Sequence, residues 1–465
     1  MYKCVDDRDL QFFYQVVGGA HVLTDQEALQ RYGHDETEDL LFLPQVVLKP
    51  EKAQQISEIL KYCTTHRIAV TPRGAGTGLS GGALPVFGGV VLATERLNRI
   101  LLIDERNHQV ITEPGVITEV LQETVKQKGL FYPPDPASRG SCFIGGNVAE
   151  NSGGPRAVKY GVVKDYVLNL EVVLPTGEII WTGANVLKNA TGYNLTQLLV
   201  GSEGTLGVVT KIVLRLLPHP QHDLLMLVAF RTAEQACQAV NAIFLEGIIP
   251  SAAEFMEQEA LQLSQRYVQS SLQLDSQCEA FLLFEVDGNH PDLLFAEMER
   301  ISAIVERFEA GQMLLAETAD QKATLWKLRR SIGEAVRRYS VYKEEDTVVP
   351  RAELPALFRG VKQLGKQYGF RTVCYGHAGD GNLHVNILKE DLSQEQWENI
   401  LPQAIRSLFE LCVQLGGTLS GEHGIGWVQK PYLMVAFNDA QMTIMKKIKK
   451  AFDPAGILNP GKIFD

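Results

Sequence analysis

Thr71-Pro72-Arg73-Gly74-Ala75-Gly76-Thr77-Gly78-Leu79-Ser80-Gly81-Gly82 places five glycines within twelve residues, directly after the short strand-like run Arg67–Val70. Glycine costs conformational entropy to order, so this density indicates a backbone that approaches a ligand closely or adopts positive φ. Such a loop exposes many backbone N–H groups, and Arg73 adds a fixed positive charge. The loop is therefore a candidate phosphate-binding element, with a purely structural glycine loop as the alternative.

The pattern G-x-G-x-x-G at 76–81 matches the dinucleotide fingerprint, which requires a helix to open on its last glycine. The residues that follow, 83–89, include Pro85 and two glycines and cannot continue as a helix. The next apolar run, Val90–Thr94, has strand character. We therefore predict that the loop binds a diphosphate outside a Rossmann unit.

Composition narrows the function classes. The 465 residues are 45% hydrophobic with a net charge of −11, and the length suits two or three domains. The negative charge and the lack of a basic block argue against nucleic acid and anionic lipid as partners. The seven cysteines are scattered without C-x-x-C, which fits neither a zinc ribbon nor an iron–sulfur site and suits a reducing cytoplasm. The acidic N-terminus lacks a signal-peptide core, and no apolar run has transmembrane length.

Hydrophobic periodicity and turn residues predict the other elements. The predicted strands are 44–48, 110–113, 167–174, 178–181 and 208–215. The predicted helices lie within 1–40 and at 50–66, 116–128, 319–339, 353–368, 393–414 and 439–452. Between Leu224 and Ala316 the order strand-helix-strand-strand-helix-strand fits a ferredoxin-like sheet that forms a second domain.

A second glycine-rich region begins with the three prolines of Tyr132–Pro136 and continues through the two glycine pairs of Ser141–Gly154. Proline and glycine together predict a stiff, irregular wall that approaches its neighbours closely. Small residues with Asn and Ser side chains suit a flat polar ring system held at its edge by hydrogen bonds. An ordinary surface loop is the alternative.

A third centre is Tyr375–Asn386, which reads as two strands joined by a Gly-Asp-Gly turn. In that geometry His377 and His384 lie across the turn from each other, and His384 and Asn386 share one face of their strand. A Glu-His pair follows within the glycine-flanked stretch 420–426. Two imidazoles and a carboxylate are a competent ligand set for zinc, manganese or ferrous iron, with isolated core or surface histidines as the alternative.

With these pieces assembled, the sequence resembles the FAD-linked oxidase family with the vanillyl-alcohol-oxidase (PCMH-type) flavin fold. The closer likeness is to its D-2-hydroxy-acid branch: the glycolate oxidase D subunit, D-lactate dehydrogenases and D-2-hydroxyglutarate dehydrogenase. The resemblance covers nearly the whole chain and rests on seven motifs in the family's order. These motifs are PRGAGTGLSGGA (72–83), PPDPAS (133–138), GGNVAENSGGPRAVKYG (145–161), GSEGTLGVVT (201–210), YGHAGDGNLHVN (375–386), SGEHGIG (420–426) and DPAGILNPGK (453–462).

The resemblance implies an α+β fold in which a PCMH-type FAD-binding domain of two subdomains is joined to a ferredoxin-like α+β substrate cap. A helical segment then returns to the flavin domain. The implied boundaries are 1–37 for an N-terminal helical segment, 38–217 for the FAD-binding domain and 218–465 for the FAD-linked oxidase C-terminal domain. Within the last, the cap spans about 224–415 and the return about 416–465.

The resemblance also implies the residues that bind FAD, with Arg73–Ser80 around the diphosphate and Val209 on the adenine side. The implied cofactor-binding residues are Pro72, Arg73, Gly74, Ala75, Gly76, Thr77, Gly78, Leu79, Ser80, Pro136, Ser141, Gly145, Asn147, Asn151, Ser152, Gly153, Tyr160, Gly161, Glu203, Gly204, Val209 and Asn459. The opening loop has no His or Cys where some relatives attach the flavin, so the FAD is expected to be non-covalent.

The remaining implied roles concern the metal, the substrate and the base. The family's divalent-metal ligands fall on His377, His384 and Glu422, with zinc expected first and manganese or iron as alternatives. The substrate-carboxylate contacts fall on Arg329, Lys343 and Asn386, and the catalytic base falls on His423. One position departs from the pattern: Gly333 stands where hydroxyglutarate enzymes place a substrate-binding threonine.

The implied reaction is oxidation of a D-2-hydroxy acid, with hydride passing from C2 to flavin N5. Glycolate or D-lactate is favoured, and D-2-hydroxyglutarate or another larger acid is the alternative. Electrons are expected to leave to a quinone, a cytochrome, an electron-transfer flavoprotein or a separate iron–sulfur subunit. The chain is expected in the cytoplasm, as a homodimer or in a heteromeric complex, with peripheral attachment to the inner membrane face through a partner as the alternative.

Two other classes of function compete with this reading. A metal-dependent hydrolase or ferrous oxygenase would use the histidine–glutamate set but would leave both glycine-rich regions unexplained. A non-catalytic subunit of an electron-transfer complex would keep the flavin without a substrate.

Overall fold

A computed structural model describes residues 2–38 and 40–464 of the chain. Its strands, in chain order, are β1 (Val22–Leu23), β2 (Val46–Leu48), β3 (Val70–Arg73), β4 (Val90–Ala93), β5 (Ile100–Asp104), β6 (Gln109–Thr112), β7 (Leu130–Phe131), β8 (Val167–Val173), β9 (Ile179–Trp181), β10 (Val208–Arg215), β11 (Leu217–Pro218), β12 (His222–Phe230), β13 (Ala252–Glu257), β14 (Ala280–Gly288), β15 (Ala310–Ala316), β16 (Tyr342–Val348), β17 (Arg371–His377) and β18 (Asn382–Leu388).

The α-helices make up most of the remaining regular structure. In chain order they are α1 (Asp7–Val17), α2 (Gln26–Tyr32), α3 (Ala53–His66), α4 (Thr118–Lys126), α5 (Ile144–Glu150), α6 (Ala157–Tyr160), α7 (Leu195–Leu199), α8 (Ala233–Leu245), α9 (Gln258–Val268), α10 (Pro291–Glu306), α11 (Ala319–Arg330), α12 (Ile332–Tyr339), α13 (Leu354–Tyr368), α14 (Gln394–Gln414), α15 (Leu433–Ala436) and α16 (Asp439–Phe452).

These elements form two compact units. The first unit contains residues 1–153, 162–219 and 422–465. The second unit contains residues 154–161 and 220–421. The eight-residue segment 154–161 therefore leaves the first unit, contributes α6 to the second, and returns.

The first unit contains two main sheets. One has the order β1-β2-β4-β3, in which β4 runs parallel to both β2 and β3 and β1 is antiparallel. The other is an antiparallel sheet of order β5-β6-β10-β8-β9. Their strands are short and rich in Val, Ile and Leu, as expected for strands buried on a packed face.

The core of the first unit brings distant parts of the chain together. The apolar face of α3, with Ile56, Ile59 and Leu60, packs with strand residues of β2, β3 and β4. Phe13 of α1 and Leu458 near the C-terminus join the same cluster. Segments near both ends of the chain therefore belong to this core. Burial of each such side chain stabilises the fold by about 1.5–3 kcal/mol.

The second unit is built on a seven-stranded antiparallel sheet of order β15-β12-β14-β13-β17-β18-β16. Its first four strands have the order 4-1-3-2 of a ferredoxin-like sheet. Helices α9, α11 and α12 cover one face through a buried apolar cluster, and α8, α10 and α13 pack on the other strand surfaces. The predicted α+β fold class is thus confirmed.

Some local predictions are wrong. The region 141–154 is not irregular throughout, because it contains α5. The first turn of α5 approaches Pro114 so closely that residue 145 must be glycine. Helix α5 ends at Asn151, which has a φ of 54°. The helix predicted at 319–339 is divided into α11 and α12 at Ser331. Strand β5 and helix α9 have no counterpart among the predicted elements, and residues 1–40 contain β1 as well as two helices.

Lys462 in the first unit gives a testable pH dependence. It is buried, donates a hydrogen bond to the Leu84 carbonyl over 2.5 Å, and burial lowers its pKa from 10.5 to about 8. The unfolded chain therefore binds more protons than the native state between about pH 8 and 10.5, so stability rises with pH across this window.

As the pH rises across this window, we expect the free energy of unfolding of the wild type to increase by up to about 3 kcal/mol relative to that of Lys462→Met. Chemical denaturation of both proteins at several pH values measures it. Stability curves that stay parallel across the window would contradict the assignment.

Candidate functional site

The first unit contains a cavity of about 250 Å³ that brings three glycine-rich stretches together. The lining residues are Pro72, Arg73, Gly74, Ala75, Gly76, Thr77, Gly78, Leu79, Gly82, Ala83, Thr94, Pro114, Pro136, Ala137, Ser138, Cys142, Phe143, Gly145, Gly146, Asn147, Ala149, Glu150, Ser152, Leu199, Ser202, Glu203, Gly204, Gly207, Val208, Val209, Glu422 and His423. The loop that follows β3 thus shares one cavity with α5 and with the loop before β10.

The glycine loop has the properties expected of an anion-binding backbone. Gly76 has a φ of +74°, a conformation that L side chains rarely adopt. A Cβ at Gly78 would meet nothing within 4 Å, so this side of the loop is open. Arg73 is buried, and its Nη1 makes no hydrogen bond among the residues that the structure describes.

A buried guanidinium nitrogen without a partner is costly unless an anion completes it. Burial also lowers the pKa of Arg73, with Asp35 acting in the opposite direction. The open glycine backbone and this arginine fit the diphosphate of FAD. The donors for this diphosphate are the backbone N–H groups of the glycine loop and the guanidinium of Arg73.

Close packing holds the α5 wall of the cavity in place. A Cβ at Gly145 would overlap the Pro114 ring, so only glycine allows α5 to approach this closely. Asn147 donates a hydrogen bond from Nδ2 to Thr118 Oγ1 over 2.6 Å. Its orientation at the cavity wall is therefore fixed from behind.

Glu203 links this wall to the 422–426 loop within the first unit. Its two carboxylate oxygens accept hydrogen bonds from the backbone N–H groups of Ile425 (2.8 Å) and Gly426 (2.6 Å). Burial raises the pKa of Glu203, while these N–H groups and Lys462 favour its charged form. Glu203 thereby braces the loop that brings Glu422 and His423 to the cavity.

Several predicted flavin residues do not line the cavity. Ser80 accepts hydrogen bonds at its carbonyl from Trp427 N and Val428 N, and Asn459 Nδ2 donates to the Gly82 and Glu203 carbonyls. These two residues brace the wall from outside. The other predicted residues that are not part of the lining are Ser141, Asn151, Gly153, Tyr160 and Gly161.

Tyr160 and Gly161 belong to the second unit instead. The Tyr160 hydroxyl donates to Asp287, at 2.9 Å from each carboxylate oxygen, and Lys159 Nζ lies 2.6 Å from Asp287 Oδ1. This carboxylate attaches the segment 154–161 to the sheet of its own unit. The sequence could not reveal this, because Asp287 carries no motif and lies more than a hundred residues away.

Other lining residues were missed by the sequence analysis. Ala137 and Ser138 belong to the quoted motif PPDPAS, and Ser202 and Gly207 to GSEGTLGVVT, so the motifs themselves were the signal for these four. Thr94 and Pro114 lie outside every motif and could be found only from the tertiary structure.

The second unit carries the predicted histidines on adjacent strands. His377 ends β17 opposite Asn382, and His384 of β18 lies opposite Tyr375, so both imidazoles are on one face of the sheet. The ring centroids are 5.4 Å apart, and the two side chains are buried. Asn386 is on the same face, as the period of two predicts.

Glu254 of β13 lies directly opposite His377 on the neighbouring strand. Both Glu254 oxygens are 2.9 Å from His377 Nδ1, and Oε2 is 2.6 Å from Nη2 of Arg329. Arg329 reaches this position from α11 with its guanidinium over the Tyr375 ring. The Nε of Arg329 makes no hydrogen bond within the described part of the chain.

The strand register gives the position of Lys343, whose predicted contact with the substrate stays a prediction. Lys343 pairs with Ile387 in the register of β16 and β18, whereas Glu344 pairs with Asn386. Side chains of paired residues point to the same face, so Lys343 lies on the face opposite Asn386. Gly333 lies close to Tyr375, since a Cβ there would be only 3.2 Å from the Tyr375 hydroxyl oxygen.

Comparisons with known proteins agree with both units. Residues 219–463 match the family described as "FAD linked oxidases, C-terminal domain", and residues 44–183 match the "FAD binding domain". The chain belongs to the FAD-linked oxidase family. It is an FAD-linked oxidoreductase of the glycolate oxidase D subunit, D-lactate and D-2-hydroxyglutarate dehydrogenase kind, as the resemblance implied.

Individual relatives cover almost the whole chain. The chain is 41% identical to "Glycolate oxidase subunit GlcD" of Bacillus subtilis (strain 168) over 93% of this chain and 92% of that one. It is 35% identical to "D-lactate dehydrogenase" of Anaerostipes hadrus over 97% and 96%. The solved structure of p-cresol methylhydroxylase shares the fold, with a TM-score of 0.81 at 17% identity over 100% and 99% of the two chains.

Within residues 2–38 and 40–464, no helix is both long enough and apolar enough to span a membrane.

Gly78 tests the glycine loop as the flavin cradle. We expect Gly78→Val to fold normally, because its Cβ position is open, but to lower flavin content at least tenfold by filling the space where the diphosphate approaches. The flavin-to-protein absorbance ratio and the thermal midpoint after reconstitution measure both effects. Gly19→Val is the matched control, since that glycine is exposed and outside the cavity. A Gly78→Val protein with wild-type flavin content would show that the loop is merely structural.

Proposed function

We propose that the chain oxidises a small D-2-hydroxy acid, glycolate or D-lactate, to the 2-oxo acid. The observation that carries the proposal is the buried polar face of the second unit, where Arg329, His377, His384 and Asn386 are grouped on one side of the sheet. Oxidation of a larger acid such as D-2-hydroxyglutarate is the alternative. Gly333 favours the smaller acids because it offers no side-chain hydroxyl.

Arg329 is the proposed carboxylate-binding residue. The residue is 6% exposed, and one guanidinium nitrogen already pairs with Glu254. The remaining donors form a planar fork that matches a carboxylate. Asn386, on the same face of the sheet, is proposed as a further contact to the substrate carboxylate, and its buried Oδ1 has no hydrogen-bond partner among the described residues.

His377 and His384 are the proposed protein ligands of one divalent metal, zinc first, with manganese or iron as alternatives. Glu254 engages Nδ1 of His377, which leaves Nε2 as the coordinating atom. The metal would supply Lewis-acid polarisation of the substrate hydroxyl. The third predicted ligand, Glu422, belongs to the first unit, and its part in the site stays a prediction.

Bound FAD supplies the two-electron acceptor for the C2 hydride. We propose that it is held non-covalently, because the glycine loop has no attachment residue. Cys142 does line the cavity, but burial raises the pKa of its thiol and keeps it a poor nucleophile. His423, which also lines the cavity, is the proposed base that takes the hydroxyl proton.

Electrons are proposed to leave to an external acceptor: a quinone, a cytochrome, an electron-transfer flavoprotein or an iron–sulfur subunit. The seven cysteines are free, and none belongs to a metal-binding cluster in the described residues. A cluster would therefore have to reside on a partner chain.

Anaerobic titration of the flavin absorbance tests the reaction. Glycolate and D-lactate are expected to bleach the oxidised-flavin band, and D-lactate to do so at least tenfold faster than L-lactate. Faster bleaching by D-2-hydroxyglutarate than by either small acid would favour the alternative substrate. A flavin-loaded protein that no D-2-hydroxy acid bleaches would overturn the proposal and favour a non-catalytic subunit.

His423 is tested separately from cofactor binding. We expect His423→Asn to keep its flavin and its metal but to reduce flavin about 10²–10⁴-fold more slowly at saturating substrate, the usual loss for a general base. Stopped-flow reduction measures the rate. His108→Asn is the control, because His108 is exposed with a φ of 49° that asparagine tolerates. Near wild-type reduction by His423→Asn would exclude it as the base.

A further inference from the structure

Glu254 occupies an unusual position for a carboxylate. It lies on β13, an interior strand of the seven-stranded sheet, and is 0% exposed. The Arg329 guanidinium is a fixed positive partner for this carboxylate, with Nη2 at 2.6 Å from Oε2. An ionised carboxylate in such a place is tolerated only when it is fully paired.

The pairing of Glu254 is divided between two different side chains. Both its oxygens are within 2.9 Å of His377 Nδ1, and Oε2 is 2.6 Å from Arg329 Nη2. His377 comes from the adjacent strand and Arg329 from helix α11. One carboxylate therefore fixes the orientation of an imidazole and of a guanidinium at the same time.

Each contact has a chemical consequence. An imidazole that donates from Nδ1 to a carboxylate keeps its lone pair on Nε2, and the carboxylate raises the basicity of that nitrogen. A guanidinium held at one end by a carboxylate can turn its remaining donors only within a narrow range.

We propose that Glu254 is a positioning residue that sets both the Nε2 direction of His377 toward a divalent metal and the guanidinium plane of Arg329 toward the substrate carboxylate. The inference rests on the proposed function and adds a residue that no motif singled out. It makes metal binding and acid binding respond together to a change at a residue that contacts neither ligand.

Glu285 offers a matched control in the same unit. It lies one strand away on β14 and on the same face of the sheet, and it is likewise buried. Its partners are the Arg156 guanidinium at 3.2 Å, the Ser251 hydroxyl at 3.2 Å and the Trp326 indole N–H at 2.9 Å. Glu285→Gln thus removes a buried, paired carboxylate from this sheet without touching His377 or Arg329.

The experiment compares Glu254→Gln with Glu285→Gln in the full-length, flavin-loaded protein stripped of metal. Zn²⁺ affinity is measured without substrate by competition with a chromophoric chelator, and KM and kcat are then measured with metal restored. We expect Glu254→Gln to weaken Zn²⁺ binding about 10–100-fold and to raise KM in parallel, with flavin content unchanged. We expect Glu285→Gln to stay within threefold of the wild type in Zn²⁺ affinity.

Glu254→Asp keeps the inference testable if the glutamine variant does not fold. It keeps the charge but draws the carboxylate back by one methylene, so positioning predicts weaker Zn²⁺ binding and a higher KM. Wild-type Zn²⁺ affinity in a folded Glu254 variant would overturn the inference and leave Glu254 as a charge-balancing residue. A wild-type protein that binds no Zn²⁺ would overturn the proposed metal site itself, which is a different result.

Discussion

The buried charge of Glu254 is the constraint on which the polar face of the second unit depends. A carboxylate on an interior strand must be neutralised where it stands, because no water reaches it. The register of β13 and β17 places His377 opposite, and α11 brings Arg329 over the same carboxylate. A slip of one residue between these two strands would place Glu254 and His377 on opposite faces of the sheet. Strand register therefore determines which side chains meet on this polar face.

The first unit is subject to a different constraint, because its cavity must stay open although the backbone around it is closely packed. Glycines at 76 and 145 allow the loop and α5 to take positions that a Cβ would forbid. The bracing comes from residues behind the wall: Glu203 holds the backbone of the 422–426 loop, and Asn459 holds Gly82 and Glu203. The C-terminal segment is thus part of the cavity's support, although Asn459 does not line it.

The sequence predicted well what depends on short stretches. The glycine loop, the hairpin that carries His377 and His384, and most long helices depend on residues within one turn or one strand, so their patterns are visible locally. The prediction of an irregular wall at 141–154 was wrong because glycine and asparagine disfavour an isolated helix. Close packing of Gly145 on Pro114 overrides that preference. The face of Lys343 could not be predicted from the sequence, because it depends on the register of β16 with β18, in which Glu344 and not Lys343 lies opposite Asn386.

By itself the sequence determined the family, the flavin and the face relation of His384 to Asn386, because motif order and a period of two are properties of the chain alone. Only the tertiary structure decided which side chains complete those motifs. Glu254 pairs with His377 across 123 residues, and Tyr160 with Asp287 across 127, through strand pairings and packing that no local pattern encodes. The physical reason is that a buried charge selects its partner by proximity in space, and proximity is set by sheet register and helix packing.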